Sequence, residues 1–350
     1  MKHIIEGKPK PAPPQVKTVV VDEDSDGQRL DNYLLRHFKG VPKTHVYRII
    51  RSGEVRVNKG RASADTRVVA GDVVRLPPVR VSARAADKAQ AMQAESARAA
   101  PAREFAVLHE DEVMLAIDKP AGVAVHGGSG VSFGVIEQLR MARPEAKFLE
   151  LVHRLDRETS GVLLVAKRRS ALKHLQDQFR ERETGKTYLA MVRGHWPTSR
   201  RVLDQPLVKY LLPDGERRVR ITGKDDPDGM RSVTLVKVRA LGAVPLLTRS
   251  GTDALACSLL EVTIKTGRTH QIRVHLASAG HPIVGDDKYG DFELNKTLAR
   301  SDRGPALKRM FLHAWRLQFC HPGSGQAMEL MADLPLELLE FTNHVITPSA

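Results

Sequence analysis

The order of predicted elements points to an α+β protein in two parts: a small N-terminal domain, then a larger domain with a mixed, largely antiparallel sheet. Three observations carry that expectation. The chain has 350 residues, enough for two or three domains. Residues 80 to 103 are rich in Ala, Arg, Gln and Ser, with no apolar periodicity that would demand a core. Beyond that stretch, strand and helix patterns follow one another in irregular order, whereas a doubly wound parallel sheet needs them to alternate.

Residues 1–17 are polar, charged and rich in proline, with Pro9, Pro11, Pro13 and Pro14, which predicts a disordered tail. Residues 18–80 read as a compact module. Asp26 is expected to cap a helix whose apolar face is Leu30, Leu34 and Phe38, with Tyr33 beside it. A second helix, about Lys43 to Ser52, carries Val46, Ile49 and Ile50 and stops at Gly53. Glu54 to Asn58 alternates like a strand, Asn58-Lys59-Gly60 makes a turn, and Gly71-Asp72 precedes a last strand, Val73 to Leu76. Such a fold exposes Arg29, Lys43, Arg48, Arg51, Lys59 and Arg61 as a basic face. Any one of these cations is ordinary solvated surface; the set of six suits a polyanion.

Residues 81–103 are the expected flexible linker and 104–345 the larger domain. Phe105 to Leu108 and Val113 to Asp118 read as paired strands around His109-Glu110-Asp111, closed by Lys119-Pro120-Ala121-Gly122. Val123 to Gly130 is glycine-rich, a weak sign of phosphate contact because it lacks the lysine of a P-loop. Val162 to Ala166 is an apolar strand-like run. Ala171, Leu172, Leu175 and Phe179 mark an amphipathic helix, and Tyr188 to Arg193 and Leu259 to Ile264 read as extended. From Thr269 a helix carrying Ile272, Leu276 and Ala279 ends at Gly280.

Charge narrows the partner. Lys and Arg number 55 against 41 Asp and Glu, a formal net charge of +14. That balance favours a polyanion, and on charge alone RNA, DNA and an anionic membrane surface are all open. No apolar segment resembles a secretory signal or a bilayer span, so a cytoplasmic protein is expected. Cys257 and Cys320 stand far apart without a metal-site spacing and read as buried or semi-buried free thiols. Among 14 histidines no pair has zinc-site spacing beside a carboxylate or cysteine, and His270 and His275 lie at the wrong offset to share a helical face. No metal is expected.

The run His153-Arg154-Leu155-Asp156-Arg157-Glu158-Thr159-Ser160-Gly161 is the most informative. In an extended segment Arg154 and Asp156 face one side and Leu155 the other, so a cation and a carboxylate look into one space. Taken singly, Asp156 reads as a surface carboxylate, Tyr188 as a strand aromatic and Arg273 as a solvated helix residue. Their order along the chain is what changes this. The run resembles the signature of the RluA/RluC/RluD family of RNA pseudouridine synthases. Lys186-Thr187-Tyr188-Leu189-Ala190 resembles its second motif. Gly267-Arg268-Thr269-His270-Gln271-Ile272-Arg273, through His281-Pro282-Ile283-Val284-Gly285-Asp286 to Tyr289-Gly290, resembles its third. The segments 125–130, 148–152 and 162–167 are most similar to the RluC-type branch, which acts on large-subunit (23S) ribosomal RNA. Residues 18–80, with Arg29-Leu30-Asp31, the turn at 53–60 and Gly71-Asp72-Val73-Val74, resemble the S4 RNA-binding domain.

The resemblance implies the pseudouridine synthase fold and an intramolecular isomerisation of uridine in RNA, needing no cofactor, nucleotide or metal. It implies Asp156 as nucleophile and Tyr188 as the residue that stacks on the base and helps remove the C5 proton. Attack at ribose C1′, addition at uracil C6 and a glycal route all remain open. Arg273 is the candidate partner of Asp156. Arg154 suits the gap left by a flipped base, because a guanidinium plane stacks on bases and hydrogen-bonds them. His153 and Arg268 are candidate substrate contacts, and Ile283 a candidate apolar wall. The expected partner is 23S ribosomal RNA or a large-subunit precursor, met by a monomer without membrane attachment. A non-catalytic RNA-binding or ribosome-assembly factor is the alternative. A hydrolase is a third reading, with Glu158 as the only second carboxylate close to Asp156.

Overall fold

The computed structural model describes residues 16–22, 25–38, 41–79, 101–127, 133–213, 215–248, 251–300 and 306–346. The chain divides into two compact units, Met1–Ala99 and Ala100–Ala350. The expected tail lies outside the described residues up to position 15, and the expected linker does so from 81 to 100.

In the first unit, strand β1 (Lys17–Val20) is followed by helices α1 (Leu30–His37) and α2 (Lys43–Arg51), then β2 (Arg56–Val57) and β3 (Val73–Leu76). The strands form an antiparallel sheet in the order β1-β3-β2. Lys17, assigned by sequence to the tail, pairs with Leu76 and belongs to the fold. Leu30, Tyr33, Leu34, Val46, Ile49 and Ile50 pack with Val68 and Val74 into one core. Asn58 and Lys59 both have positive φ, 49° and 68°, the backbone of a tight primed turn. Asp26 does not cap α1. Its Oδ1 accepts from Ala70 N–H at 3.1 Å, and the capping position falls to Arg29, whose guanidinium pairs with Asp31 at 2.9 Å.

The second unit contains β4 (Ala106–Glu110), β5 (Met114–Lys119), α3 (Val135–Ala142), β6 (Glu150–Leu151), β7 (Ser160–Ala166), α4 (Arg169–Glu181) and β8 (Gly185–Arg193). Next come β9 (Val202–Asp204), β10 (Leu207–Leu211), β11 (Arg217–Ile221), β12 (Val233–Thr248), β13 (Gly251–Ile264) and α5 (Gln271–Ser278). Helix α6 (Phe292–Ala299), β14 (Leu312–Cys320), β15 (Ala327–Met331) and α7 (Leu336–Val345) complete it.

Ten strands form one sheet with the path β4-β5-β7-β14-β8-β13-β12-β9, β15 joining β14 and β6 joining β7. Among the described residues only the β7–β14 pair is parallel, so the sheet is mixed and largely antiparallel. The irregular element order requires this, since hairpins join antiparallel neighbours and a parallel pair needs a long crossover.

Strand β7 is buried on both faces. Val162, Leu164 and Ala166 meet Leu172 and Leu175 of α4 in one core, while Leu163 and Val165 meet Val135 and Leu139 of α3 in another. At its start, Gly161 has φ +112°, and a Cβ there would come within 2.2 Å of the Ala314 carbonyl. Only glycine permits β14 to lie so close, which fixes the end of the 153–159 loop against the sheet centre.

Candidate active site

A cleft of about 510 Å³ lies where the 153–159 loop, β8 and the start of α5 meet. That volume is within the roughly 300–1,000 Å³ typical of pockets for small molecules. Asp156 is the one acidic residue among those lining it, while Arg154, Arg180, Arg182, Lys186, Lys265 and Arg268 surround it with positive charge. Burial first, then the charges of Lys265 and Arg182, push the Lys186 ammonium down to about 8. Cations crowded to this degree suit a polyanionic ligand, whose phosphates would relieve the repulsion.

The loop is held from both ends. Leu155 points inward and is buried, while Arg154 is exposed and Asp156 is half-buried, the alternation anticipated from the spacing. Lys119, at the end of β5, is fully buried, and its Nζ donates to the carbonyls of Pro120, Val123 and Arg157 at 2.8, 2.8 and 3.1 Å. Burial pushes that lysine down to about 7, but three carbonyl acceptors match three N–H donors, which only the ammonium has. Gly122 N–H also donates to the Arg157 carbonyl, at 2.9 Å, and Arg157 Nε to the Gly122 carbonyl, at 2.9 Å.

Arg273 comes from α5, which is buried on nearly all sides. The side chain of Gln271 fixes the helix start. Its Oε1 accepts from Thr266 Oγ1 and Arg268 N–H, and its Nε2 donates to Val233 O and Thr234 Oγ1. Arg273, only 3% exposed, forks onto Asp286 through Nε and Nη2 at 2.7 and 2.6 Å, and Nη2 also meets Asp287 at 3.1 Å. Its remaining nitrogen, Nη1, reaches Asp156 Oδ2 at 3.5 Å. The expected pair with Asp156 is present, but the principal partner is Asp286. Burial opposes ionisation of Asp286, and the hydrogen bond and charge of Arg273 outweigh it, holding the carboxyl below its usual range.

Tyr188 lines the cleft from β8, opposite Val262 on β13 and beside a register shift in β14 between His313 and Arg316. Burial, and then the Asp156 charge, push its hydroxyl far above the ordinary value, so it keeps its proton at neutral pH. That suits a stacking ring with a neutral hydroxyl better than a phenolate base.

The other sequence candidates divide. Arg154 lines the cleft and has no side-chain partner among the described residues. Arg268 lines it too, with a long contact from Nε to the Arg231 carbonyl at 3.4 Å. His153 borders the cleft, but its ring stacks on Phe179 with centroids 4.7 Å apart, and its Nε2 accepts from Leu164 N–H at 3.1 Å. Its work is to hold the loop. Ile283 is not brought to the cleft: it is 1% exposed, in the core with Val192 and Phe311. The cleft's apolar lining comes instead from Leu155, Ile264, Ile272 and Leu312. Glu158 lines a different hollow together with Asp118 and Arg309, so it offers Asp156 no second carboxylate. In the first unit, Arg29, Lys43, Arg48, Arg51, Lys59 and Arg61 are all exposed.

Asp286 and His270 were not given roles by the sequence reading, although both stand inside the third motif that carried the resemblance. Of the thiols, both expected to be buried or semi-buried, Cys257 is buried and Cys320 is exposed at a strand end. Among the described residues, one cluster brings three metal-ligating atoms within 4.8 Å of one another: His109, Asp111 and His321. It does not fit a metal as built. His321 Nδ1 accepts from Ser324 N–H at 3.0 Å, which leaves its proton on Nε2, directed at Asp111 Oδ2 at 2.7 Å. A nitrogen carrying that proton has no lone pair for an ion. The cluster braces the β4–β5 turn against the β14–β15 turn.

Residues 113–278 match the family model for RNA pseudouridylate synthase and residues 28–74 that for the S4 domain. The chain is 50% identical over 321 residues to ribosomal large subunit pseudouridine synthase C of Salmonella typhimurium, covering 92% of this chain and 94% of that protein. It is 49% identical over 321 residues to the protein of the same name from Escherichia coli K12, with the same coverage of 92% and 94%. Among solved structures it resembles human RNA pseudouridylate synthase domain containing 1, with a TM-score of 0.54 and 28% identity over 70% of this chain and 91% of that one. The match to the two synthase C proteins, over nearly the full length of both chains, leaves no room for a hydrolase or a purely RNA-binding factor. The chain belongs to the RNA pseudouridylate synthases, as an isomerase with an N-terminal S4 domain.

Proposed function

We propose that this enzyme isomerises specific uridines of large-subunit (23S) ribosomal RNA, with Asp156 as nucleophile. One observation carries the assignment: Asp156 is the single carboxylate in a cationic cleft, with a buried arginine at 3.5 Å and a tyrosine ring alongside. The reaction breaks the bond from ribose C1′ to N1 of uracil and joins C1′ to C5. A carboxylate is needed to free the base, a flat surface to hold it while it turns, and a cation to keep the carboxylate oriented.

Tyr188 supplies the flat surface, stacking on the extruded uracil. Once the new bond has formed and the Asp156 carboxylate is free again, the neutral hydroxyl can take up the C5 proton while passing its own to that carboxylate. Arg273 holds Asp156, and is itself held by Asp286. Arg154, at the rim and without a side-chain partner among the described residues, enters the gap left by the flipped base and offsets part of its unstacking, which costs a few kcal/mol. The exposed cations of the S4 domain add affinity for the RNA backbone and raise the local concentration of substrate. The names of the relatives support the large subunit as the source of that RNA.

Carbodiimide mapping of pseudouridine in ribosomal RNA tests the substrate. Cells lacking this protein should lose the modification at discrete 23S positions and regain it with the wild-type chain. An unchanged map would contradict the substrate assignment.

A further inference from the structure

His270 immediately precedes α5, in the left-handed region with φ 52° and ψ 21°. That backbone is sterically unfavourable for a residue with a Cβ, and in folded proteins such residues gather at functional sites. Here it turns the imidazole into the cleft, where the side chain is 14% exposed and Nε2 lies 3.8 Å from Oδ2 of Asp156.

The hydrogen bonds behind the ring decide its tautomer. Val219 N–H, on β11, donates to the Tyr289 hydroxyl oxygen at 3.0 Å. The Tyr289 oxygen and His270 Nδ1 are 2.9 Å apart. Having accepted from Val219, the hydroxyl has its one proton free to donate, and Nδ1 is the acceptor in reach. The imidazole proton therefore sits on Nε2, facing Asp156. Burial lowers the basicity of the ring, as do the charges of Arg273 and Lys288, while Asp156 and Asp286 oppose them. The net direction keeps the ring neutral and this arrangement intact near pH 7.

Arg273 Nη1 approaches the same oxygen, Oδ2, at 3.5 Å, and Asp156 Oδ1 has no partner among the described residues. We propose that His270 is a positioning residue for the isomerisation: with Arg273 it converges on Oδ2 of Asp156 and leaves Oδ1 as the oxygen that meets the substrate. The 3.8 Å separation closes to a hydrogen bond when RNA fills the cleft, as catalytic hydrogen bonds that are long in the free enzyme commonly do. Tyr289, packed against Arg273 with its ring centroid 5.3 Å from the guanidinium carbon, supports both donors at once.

This inference rests on Asp156 as nucleophile, and the test separates the two. The full-length enzyme and the variants His270→Leu, His270→Gln and Asp156→Asn are assayed on a 23S ribosomal RNA transcript. A Gln side chain can still donate from the position of Nε2, whereas Leu cannot. His270→Leu should lose about 10- to 100-fold in kcat, the scale of one hydrogen bond to a charged group, with KM for RNA little changed. His270→Gln should recover most of the loss. In the unaltered protein, nitrogen NMR of labelled histidine should find the His270 proton on Nε2. Wild-type kcat in His270→Leu, equal impairment of Leu and Gln, or a proton on Nδ1 would each overturn the proposal. The NMR result stands even if the Leu variant does not fold. If Asp156→Asn is inactive while the His270 variants keep full rate, only the role of His270 fails; if Asp156→Asn keeps full rate, the nucleophile assignment fails as well.

Discussion

Arg154 and Asp156, two positions apart, have opposite fates. Asp156 is approached by the buried Arg273, while Arg154 projects from the rim with no side-chain partner among the described residues. The spacing of the motif makes both face one space, and the third motif supplies the cation that leaves Arg154 free. Replacing Arg154 with Ala should therefore slow modification of structured RNA by about 10- to 100-fold, an unstacking term of a few kcal/mol in part lost, and slow an unstacked oligonucleotide far less. Comparing kcat/KM on the two substrates checks this, and equal losses would rule out a role in base flipping. That Asp156, Tyr188 and Arg273 meet in one cleft was legible in the sequence because each sits in an ordered motif. Their surroundings were not. Taken singly, Arg273 reads as a solvated helix residue because nothing local reveals that its guanidinium forks onto Asp286, thirteen residues on. Ile283 reads as a cleft residue from its neighbours, yet its β-bridge to Val192 turns it into the core.

At the scale of elements, the two short helices and the small hairpin of the first unit follow from period and turn chemistry, and the α4 face follows from Ala171, Leu172 and Leu175. Asp26 has the right chemistry for a cap of α1 but satisfies a loop N–H at Ala70, far along the chain. Strand β12 and the first half of β13 carry a clear two-residue alternation only from Val236 to Ala240; beyond it Gly242 and Pro245 interrupt the pattern, and pairing with each other defines the rest. Helix α5 is legible from Ile272, Leu276 and Ala279, but that face does not disclose that Gln271, Arg273 and His275 are buried as well. The junction of β5 with the 153–159 loop depends on Lys119 in the same hidden way. Changing Lys119 to Met should leave three buried carbonyls without that donor and cost about 2–4 kcal/mol of stability. Activity should fall with it as the Arg157 end of the loop loosens. Denaturant unfolding and a turnover assay together check this; a variant as stable as wild type would show that the clamp is dispensable.

For the whole molecule, the +14 charge and the S4 module made an RNA partner legible, while the balance of buried titratable groups emerges only from the fold. Burial pushes both His153 and His313 down to about 4. The unfolded chain protonates such residues near pH 6.5, so between about 6.5 and 4 it binds protons that the folded state refuses. Their contribution to stability is full above that window and is lost as pH falls through it, by up to about 3 kcal/mol for the fully buried His313. Below it, Asp286 acts in the same direction, since Arg273 holds its carboxyl under the usual range despite burial. The melting temperature should fall steadily from pH 7 to pH 4.5, and a flat profile would contradict this balance.

These scales meet in the carboxylate of Asp156. Pseudouridine formation by purified Asp156→Asn on a 23S ribosomal RNA transcript tests the account most directly, with folding checked by circular dichroism and RNA binding measured alongside. The account predicts a folded protein that binds RNA with near wild-type affinity and forms no detectable pseudouridine. Turnover at the wild-type rate would contradict it.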